Sequence, residues 1–509
     1  MRVFVFGIGG TGARVITQLV MHLAAGARPV DANGQVLKDD FSIVPILVDP
    51  HAECDALVSL GELLNDYSAI HNRLYGNIKD PGRGFFSVKI EKMREVNNAV
   101  THDDFTFRLN NISDLSFKKY IGKESMNQES KMFMDFLFSN DELDTDMNEG
   151  FYGSPNIGCV ALNSFADSPD FAAFKQCVRY GVDKAFFIGS IFGGTGASGL
   201  PLFISNIRHM LKRGENDSEN SGKTPIGALI VMPYFSIDEN KESPINDSDF
   251  MIKTRSALSY YESNMNKQIN NVYYIADWGA KRISPFENDP GDVANQKKNK
   301  AHIVEYMGAA SLFDFIRSDN RDVNDDGYVP RTQFKAYGID SDDENIGTIS
   351  FKEFGSGVKE NLRIPYMKFA IMKHWMEHFL QSDTRRPYIR NLNIDTSIVE
   401  NSELQRIFRK FDNLMIQMNS HGPSAHNLSI YNSISGDDYT NAFVNIGTKP
   451  RKGWPGNMNV KRSDIEKALD RQADDLKNNL QGLTTPEQKW FRIADLALDE
   501  IIDMYNLNN

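Results

Sequence analysis

Asp183 to Pro201 reads DKAFFIGSIFGGTGASGLP, and most of the fold follows from it. Lys184 to Ile188 is a short apolar run, as expected of a strand buried on both faces. A glycine loop, GGTGAS from Gly193 to Ser198, follows at once. Leu200, Phe203, Ile204, Ile207 and Leu211 then recur at helical spacing. Strand, glycine loop and helix together offer a phosphate a close backbone, free N–H groups and a partial positive charge. Thr195 and Ser198 add hydroxyl donors to the same loop.

The same arrangement stands at the start of the chain. Arg2 to Phe6 alternates Val and Phe, GIGGTG follows from Gly7 to Gly12, and Ile16, Leu19, Val20, Leu23 and Ala24 keep helical spacing. A second strand, Ile43 to Val48, ends at Asp49. Alone, the first loop would serve a dinucleotide in a Rossmann domain, with Asp49 on a ribose hydroxyl. The second loop is not needed for that ligand. Two glycine loops at adjacent strand ends could hold one polyphosphate from both sides.

Working outward, Phe151 to Gly158 resumes the pattern after a mixed, charged stretch from Asn65 to Asp146, which is helical in parts. A helix is expected through Phe171 to Val178, strands at Ile226 to Met232 and Asn271 to Ala276, and helices near Ser256 to Met265 and Ala301 to Ile316. This α/β rhythm predicts a parallel sheet. Beyond it, short strand candidates (Thr348 to Phe351, Ala442 to Ile446) mix with helices near Pro365 to Leu380 and Glu403 to Met418. Two helices close the chain, with capping patterns at Ser463/Glu466 and at Thr485/Pro486/Gln488. Phe491, Ala494, Leu498, Ile501 and Tyr505 share one face of the last helix. That face either packs on the protein's own body or binds a partner.

Composition narrows the class. The chain has 509 residues, 41% hydrophobic and 24% charged, as in an ordinary globular protein. No apolar run approaches the roughly 18–20 residues of a membrane span, and MRVFVFGIGG enters a strand without the features of a signal peptide. A net charge of -12 argues against nucleic-acid backbone as the main ligand. Three cysteines, Cys54, Cys159 and Cys177, without metal spacing, fit a reducing cytoplasm and no disulfide framework. Asp322 to Gly327 matches the front half of a calcium loop, and Gly347 to Phe354 the back half. Neither is complete, because Gln333 and Ile346 stand where oxygen ligands belong, and polar turns are the plainer reading.

In this order of segments the sequence resembles the tubulin/FtsZ superfamily. Asp183 to Pro201 is similar to the family's signature glycine loop, VFVFGIGGTGARVI (Val3 to Ile16) to its first phosphate loop and ILVDPHAECDAL (Ile46 to Leu57) to its second. GFYGSPNIG (Gly150 to Gly158) looks like the third loop, and IGALIVMPYFSID (Ile226 to Asp238) like the strand and loop that touch the ribose. NVYYIADWGA (Asn271 to Ala280) sits where the family has a base-contacting strand end, here Asp277. NKAHIVEYMGAASLFDFI (Asn299 to Ile316) looks like the start of the central helix, which puts Asn299 and His302 beside the base; a surface histidine is the alternative for His302. Phe192 stands where the family's run has its first glycine, and Ser198 where it has its last. The segment between the second and third loops is longer than in FtsZ.

The resemblance implies a Rossmann-like α/β GTP-binding domain with its central helix over 1–316, a smaller mixed α/β domain over 317–455 and a helical pair over 456–509. It implies GTP or GDP with Mg²⁺ as ligands. The implied contacts are Gly7, Gly9, Gly10, Thr11, Gly12, Asp49, Gly153, Pro155, Gly193, Gly194, Thr195, Gly196, Ala197, Ser198, Asp238, Asp277, Asn299 and His302, with Asp49 helping to hold the metal. It also implies self-assembly into an oligomer or filament. The family completes its active site between subunits with an Asn-x-Asp-x-x-Asp/Glu loop after the central helix. Here that stretch is RSDNRDVNDDGYV (Arg317 to Val329), without that spacing, so the candidate carboxylates for hydrolysis are Asp319, Asp322, Asp325 and Asp326. Two further readings stay open: a nucleotide-sensing scaffold that does not hydrolyse, with a partner at the C-terminal helices, and a dinucleotide-dependent oxidoreductase.

Overall fold

The computed structural model describes the chain apart from residues 32–35, 38–39, 51–54, 79–81, 99, 101–104, 108–114, 148–150, 152–153, 213–223, 238–246, 266, 278–282, 287–298, 319–329, 337–346, 422–424, 431–438, 440–459, 479–481 and 506–509, and apart from the side chains of 212, 236–237, 247–250, 283–286, 336 and 360. In chain order its elements are β1 (Arg2–Ile8), α1 (Gly9–Ala24), β2 (Ser42–Val48), α2 (Asp55–Tyr75), β3 (Lys89–Ile90), α3 (Met93–Val96), α4 (Phe117–Tyr120), α5 (Gln128–Leu137), α6 (Asn140–Asp144), α7 (Pro155–Asn163), α8 (Pro169–Cys177), β4 (Lys184–Ser190) and α9 (Gly194–Lys212). There follow β5 (Ile226–Val231), β6 (Phe235–Ile237), α10 (Asp247–Asn264), β7 (Asn271–Ile275), β8 (Ile283–Phe286), α11 (Ile303–Arg317), β9 (Gln333–Ala336), β10 (Thr348–Ile349), α12 (Ser356–His378), α13 (Pro387–Leu392), α14 (Ser402–Met418), β11 (Asn427–Leu428), α15 (Arg462–Lys477) and α16 (Pro486–Met504).

Seven strands form one sheet in the order β3-β2-β1-β4-β5-β7-β9. Every pairing in it is parallel. The α/β class expected from the sequence is therefore present, with β1 paired to β2 from Arg2↔Ser42 to Ile8↔Val48 and to β4 from Val3↔Lys184 to Gly7↔Ile188. The chain steps from β1 outward to β3, then crosses back to build the other side from β4. The order thus reverses between β1 and β4, and the crevice outside the carboxyl ends of those two strands is where such sheets bind ligands.

Both faces of the sheet are covered, which is why the strands read as nearly unbroken apolar runs. Val3 and Val5 of β1 join a core with α1, α2, α11, α12, α14, α15 and α16. Phe4, Phe6 and Ile8 point the other way, into a core with α7, α8, α9 and α10. Pro45 sits in β2 without breaking it. The Ile43 carbonyl accepts from Glu91 N and Leu47 N donates to the Phe105 carbonyl, so Pro45 falls on the outer side between two partners, past the end of β3. Pro201 lies inside α9 and removes the bond its own N–H would have given the Ala197 carbonyl. Tyr261 of α10 takes that carbonyl instead, donating Oη at 3.1 Å.

α11 is buried at every position from Ile303 to Ile316. Lys184 closes its far end, donating to the carbonyls of Phe315, Ile316 and Ser318. The sheet does not stop at Ile316, because β9 adds its seventh strand alongside β7. Helices beyond that point share the core of the first face: Tyr366 stacks edge-on to Tyr306, and Phe369 packs on Phe85 and Phe86.

Several local expectations are corrected. α12 starts at Ser356 rather than at Pro365, since burying Val358 and Leu362 offsets the proline's missing N–H. The segment likened to a third loop ends inside a helix, Pro155–Asn163, with proline at its first turn. α15 starts before Ser463: Asp464 accepts from Lys461 N, while Glu466 accepts from Arg462. Thr485 and Gln488 do cap α16 reciprocally, at 3.2 and 3.1 Å. The face of α16 carrying Phe491, Ala494, Leu498, Ile501 and Tyr505 is buried on the protein's own body, against α2, α12 and α15, not offered to a partner. No described helix is long and apolar enough to cross a membrane, and Cys159 and Cys177 are unpaired thiols.

Candidate functional site

β1 delivers the chain into α1 without a pause. Ile8 is the N-cap residue, and no side chain caps the helix. Gly9 has φ +73, a conformation that glycine adopts without strain. A Cβ on Gly9 would lie 3.4 Å from Thr195 Cβ and 3.6 Å from Gly196 N, so the two glycine loops touch. A Cβ on Gly12 would come within 2.6 Å of the Gly7 carbonyl carbon and 2.9 Å of the Ile188 carbonyl oxygen. That glycine lets α1 close onto the sheet. Gly10 is different: a Cβ there would meet nothing within 4 Å.

The second loop follows the same logic. A Cβ on Gly196 would sit 2.4 Å from the Ser190 carbonyl oxygen, and one on Gly193 would sit 3.2 Å from Ser190 Oγ. Neither α1 nor α9 has an acidic residue in its first turn. Two helix N-termini therefore converge on the crevice with no acidic residue of their own in the first turn to offset their positive ends. Thr11, Gly193 and Thr195 are half-buried there, and Asp49 is half-buried one residue past the end of β2.

The structure separates other expected residues from this mouth. Ser198 is fully buried, and its hydroxyl donates back to the Gly194 carbonyl at 2.7 Å. It packs on Gly158 of α7, where a Cβ would lie 2.2 Å from Ser198 Oγ. The hydroxyl expected as a phosphate donor is thus committed to its own helix, and the residue is a contact between α7 and α9. Ala197 is likewise buried. Pro155 is half-buried in the first turn of α7. Gly153, Asp238 and the carboxylates Asp319, Asp322, Asp325 and Asp326 lie outside the described residues, as does the front half of the calcium-like loop. Its back half forms β10 and a turn in which Glu353 accepts from Ser350 N and Oγ.

The opposite end of the crevice is a buried polar cluster. Asp277, two residues past β7, is 6% exposed. His426 Nδ1 lies 3.0 and 3.1 Å from its two carboxylate oxygens. His302 is the N-cap of α11 and wholly buried, which overturns the surface-histidine alternative. Its Nδ1 accepts from Val304 N at 3.1 Å, which assigns the proton to Nε2. Among the described residues Nε2 has no hydrogen-bond partner, and it stands 3.6 Å from Asp277 Oδ2. Burial holds the His302 pKa well below the ordinary value, with His421, Arg14 and His426 adding in the same direction. The ring packs at a tilt against Tyr234 and His421, at 5.0 and 5.1 Å between centroids.

Sequence reading missed the residues that organise this end. Glu305 accepts from His302 N, Arg14 Nε and Tyr234 Oη, at 3.2, 2.6 and 2.9 Å. Arg14 also donates to the carbonyls of Asn299 and Lys300, so Asn299 is held by its backbone. Burial alone would lower the Arg14 pKa, but Glu305 raises it above the ordinary value. His302-x-x-Glu305 was legible as a capping-box spacing; His421 and His426 left no signal. Phe192 is explained by its neighbours, packing edge-on to Tyr234 and Phe235 at 6.2 and 5.3 Å. No protein-family model matches the chain, and no curated protein matches it.

Proposed function

We propose that the chain is a guanine-nucleotide-binding protein of the tubulin/FtsZ type that assembles with itself. The observation that carries this reading is the contact between Gly9 and Thr195–Gly196 at the strand-order reversal. A dinucleotide needs one glycine loop at that place; a second, touching the first, suits a compact polyphosphate gripped from two sides. Gly10 leaves its side of the mouth open, so the fit to a phosphate chain is good.

In this reading the N–H groups at the starts of α1 and α9 neutralise the phosphates, and Thr11 and Thr195 lie beside them. Mg²⁺, when bound, supplies further charge neutralisation, and Asp49 is the carboxylate placed to hold it. Asp277 and His302 face the base. A carboxylate accepts two hydrogen bonds side by side, which matches the N1–H and 2-amino group of guanine and not the edge of adenine. Hydrolysis belongs to the reading only as a step between copies. Asp319, Asp322, Asp325 and Asp326 of one copy would orient water for in-line attack on the γ-phosphate held by another.

The test is phosphate release from GTP with Mg²⁺ as a function of protein concentration. Specific activity that rises above a threshold concentration supports assembly with a site completed between subunits. GTP binding without release at any concentration replaces this with the nucleotide-sensing scaffold and removes those four aspartates. A nicotinamide or flavin absorbance in the purified protein would sink both in favour of the oxidoreductase.

A further inference from the structure

α5 has no buried residue. It is nevertheless well anchored: Asn127 caps it through Ser130 N at 2.8 Å, and Lys123 pairs with Asp135. Met132, Phe133, Phe136 and Leu137 share one face and are 67%, 57%, 85% and 46% exposed. With on the order of 200 Å² per phenylalanine, Phe133 and Phe136 together leave roughly 280 Å² of ring in water. Adding Met132 and Leu137 carries the patch to the size that marks an interaction site. Beside it runs a groove of about 760 Å³, lined by Phe117, Tyr120, Ile121, Met126, Met134 and Val160.

Charge says what covers this face. Residues 115–147 carry seven carboxylates and four lysines. Lys118 pairs with Asp144 and Lys123 with Asp135; setting Asp146 aside, Glu124, Glu129, Asp141 and Glu142 then stand against Lys119 and Lys131, which leaves the surroundings of the patch net acidic. An isologous pairing of two copies would set acidic rim against acidic rim. The patch also falls short of the roughly 800 Å² per partner of a standard protein interface. An anionic lipid surface is repelled for the same reason. A methionine- and phenylalanine-lined groove with an acidic rim suits one occupant well, a helix with apolar anchors on one face and lysine or arginine on the other.

We propose that the α5 face is a docking groove for a basic amphipathic helix of a partner protein. The inference is independent of the nucleotide reading. The test titrates the full chain with a synthetic helical peptide carrying Leu at i, i+3, i+4 and i+7 and Lys elsewhere, and with the same peptide carrying Glu in place of Lys. The Lys peptide should bind one to one, at least about tenfold tighter than the Glu peptide, and more weakly as salt rises. Phe133→Ser with Phe136→Ser should abolish that binding at unchanged Tm; Phe136→Gln alone, at the most exposed position, serves if the double variant fails to fold. Equal binding of both peptides, or binding that survives these variants, overturns the proposal. So does an oligomer that the same variants convert to monomer, which would assign the face to a second copy. Sedimentation with phosphatidylserine vesicles that the variants abolish would assign it to a membrane.

Discussion

Gly10→Ala separates the site from the fold. The new methyl meets no atom within 4 Å, and Gly10 is in the first turn of α1 without a positive φ. Alanine is better than glycine in a helix by about 0.5–1 kcal/mol, so the melting temperature should hold or rise. The methyl does, however, occupy the open side of the mouth where a phosphate must approach the N–H groups. Losing one charge-assisted hydrogen bond costs about 1.5–3 kcal/mol, which is about ten- to a hundredfold in Kd. The assay is titration with a fluorescent GTP analogue beside a thermal melt. Gly12→Ala is the contrast: its methyl would lie 2.6 Å from backbone, and it should destabilise by about 1–3 kcal/mol. Gly10→Ala binding as tightly as the parent, with the fold intact, refutes the placement of phosphate at α1.

Two further outcomes test the frame around the site. His22 is buried between Tyr366 Oη and the Tyr306 carbonyl, and burial lowers its pKa to about 3, only partly offset by the bond to that carbonyl. The unfolded chain therefore takes up this proton first as pH falls below about 6.5, and stability on the order of 4–5 kcal/mol is lost on the way to pH 3. Urea midpoints from pH 7 to pH 4 should fall less steeply in His22→Gln than in the parent, and equal slopes would contradict this. Lys368 of α12 reaches Asp495 and Asp499 of α16 at 2.5 and 2.7 Å. Lys368→Met strands a buried carboxylate and should cost about 3–5 kcal/mol in denaturant unfolding. Arg471→Ala, at the more exposed pair with Glu500, should cost below about 1 kcal/mol; similar losses would show that burial does not set the cost.

The two touching glycine loops were legible because their geometry is local. Val3 to Phe6, Gly7 to Gly12 and the helical spacing after Gly12 lie within one short continuous stretch, where glycine is required at Gly9 by a positive φ and at Gly12 by close backbone. What a local pattern cannot give is which way a side chain turns when a distant element decides it. Ser198 looked like a donor to a ligand, and Gly158 of α7 turns it into a packing contact. Pro201 lies inside α9, and it is Tyr261 from the distant α10 that takes up the carbonyl it leaves. Asp277 and His302 were found by position in a resembling segment, but their environment comes from His421 and His426, more than a hundred residues further along and without any spacing signal.

Arg14 shows why the two ends should be treated as one site. It lies on α1 just after the residues whose N–H groups face the crevice, and its guanidinium holds Glu305 and the carbonyls of Asn299 and Lys300. Glu305 in turn fixes the backbone of His302, whose Nε2 points toward Asp277. The start of α11 is therefore tied to α1, as it is to Gln417 and His421 further along the chain. A shift of α1 by even part of a hydrogen-bond length would reach His302 through two bonds, at 2.6 and 3.2 Å, that meet on the buried Glu305. The resemblance placed the phosphate loops and the central helix as separate contributions; the Arg14–Glu305 pair makes the second depend on the first.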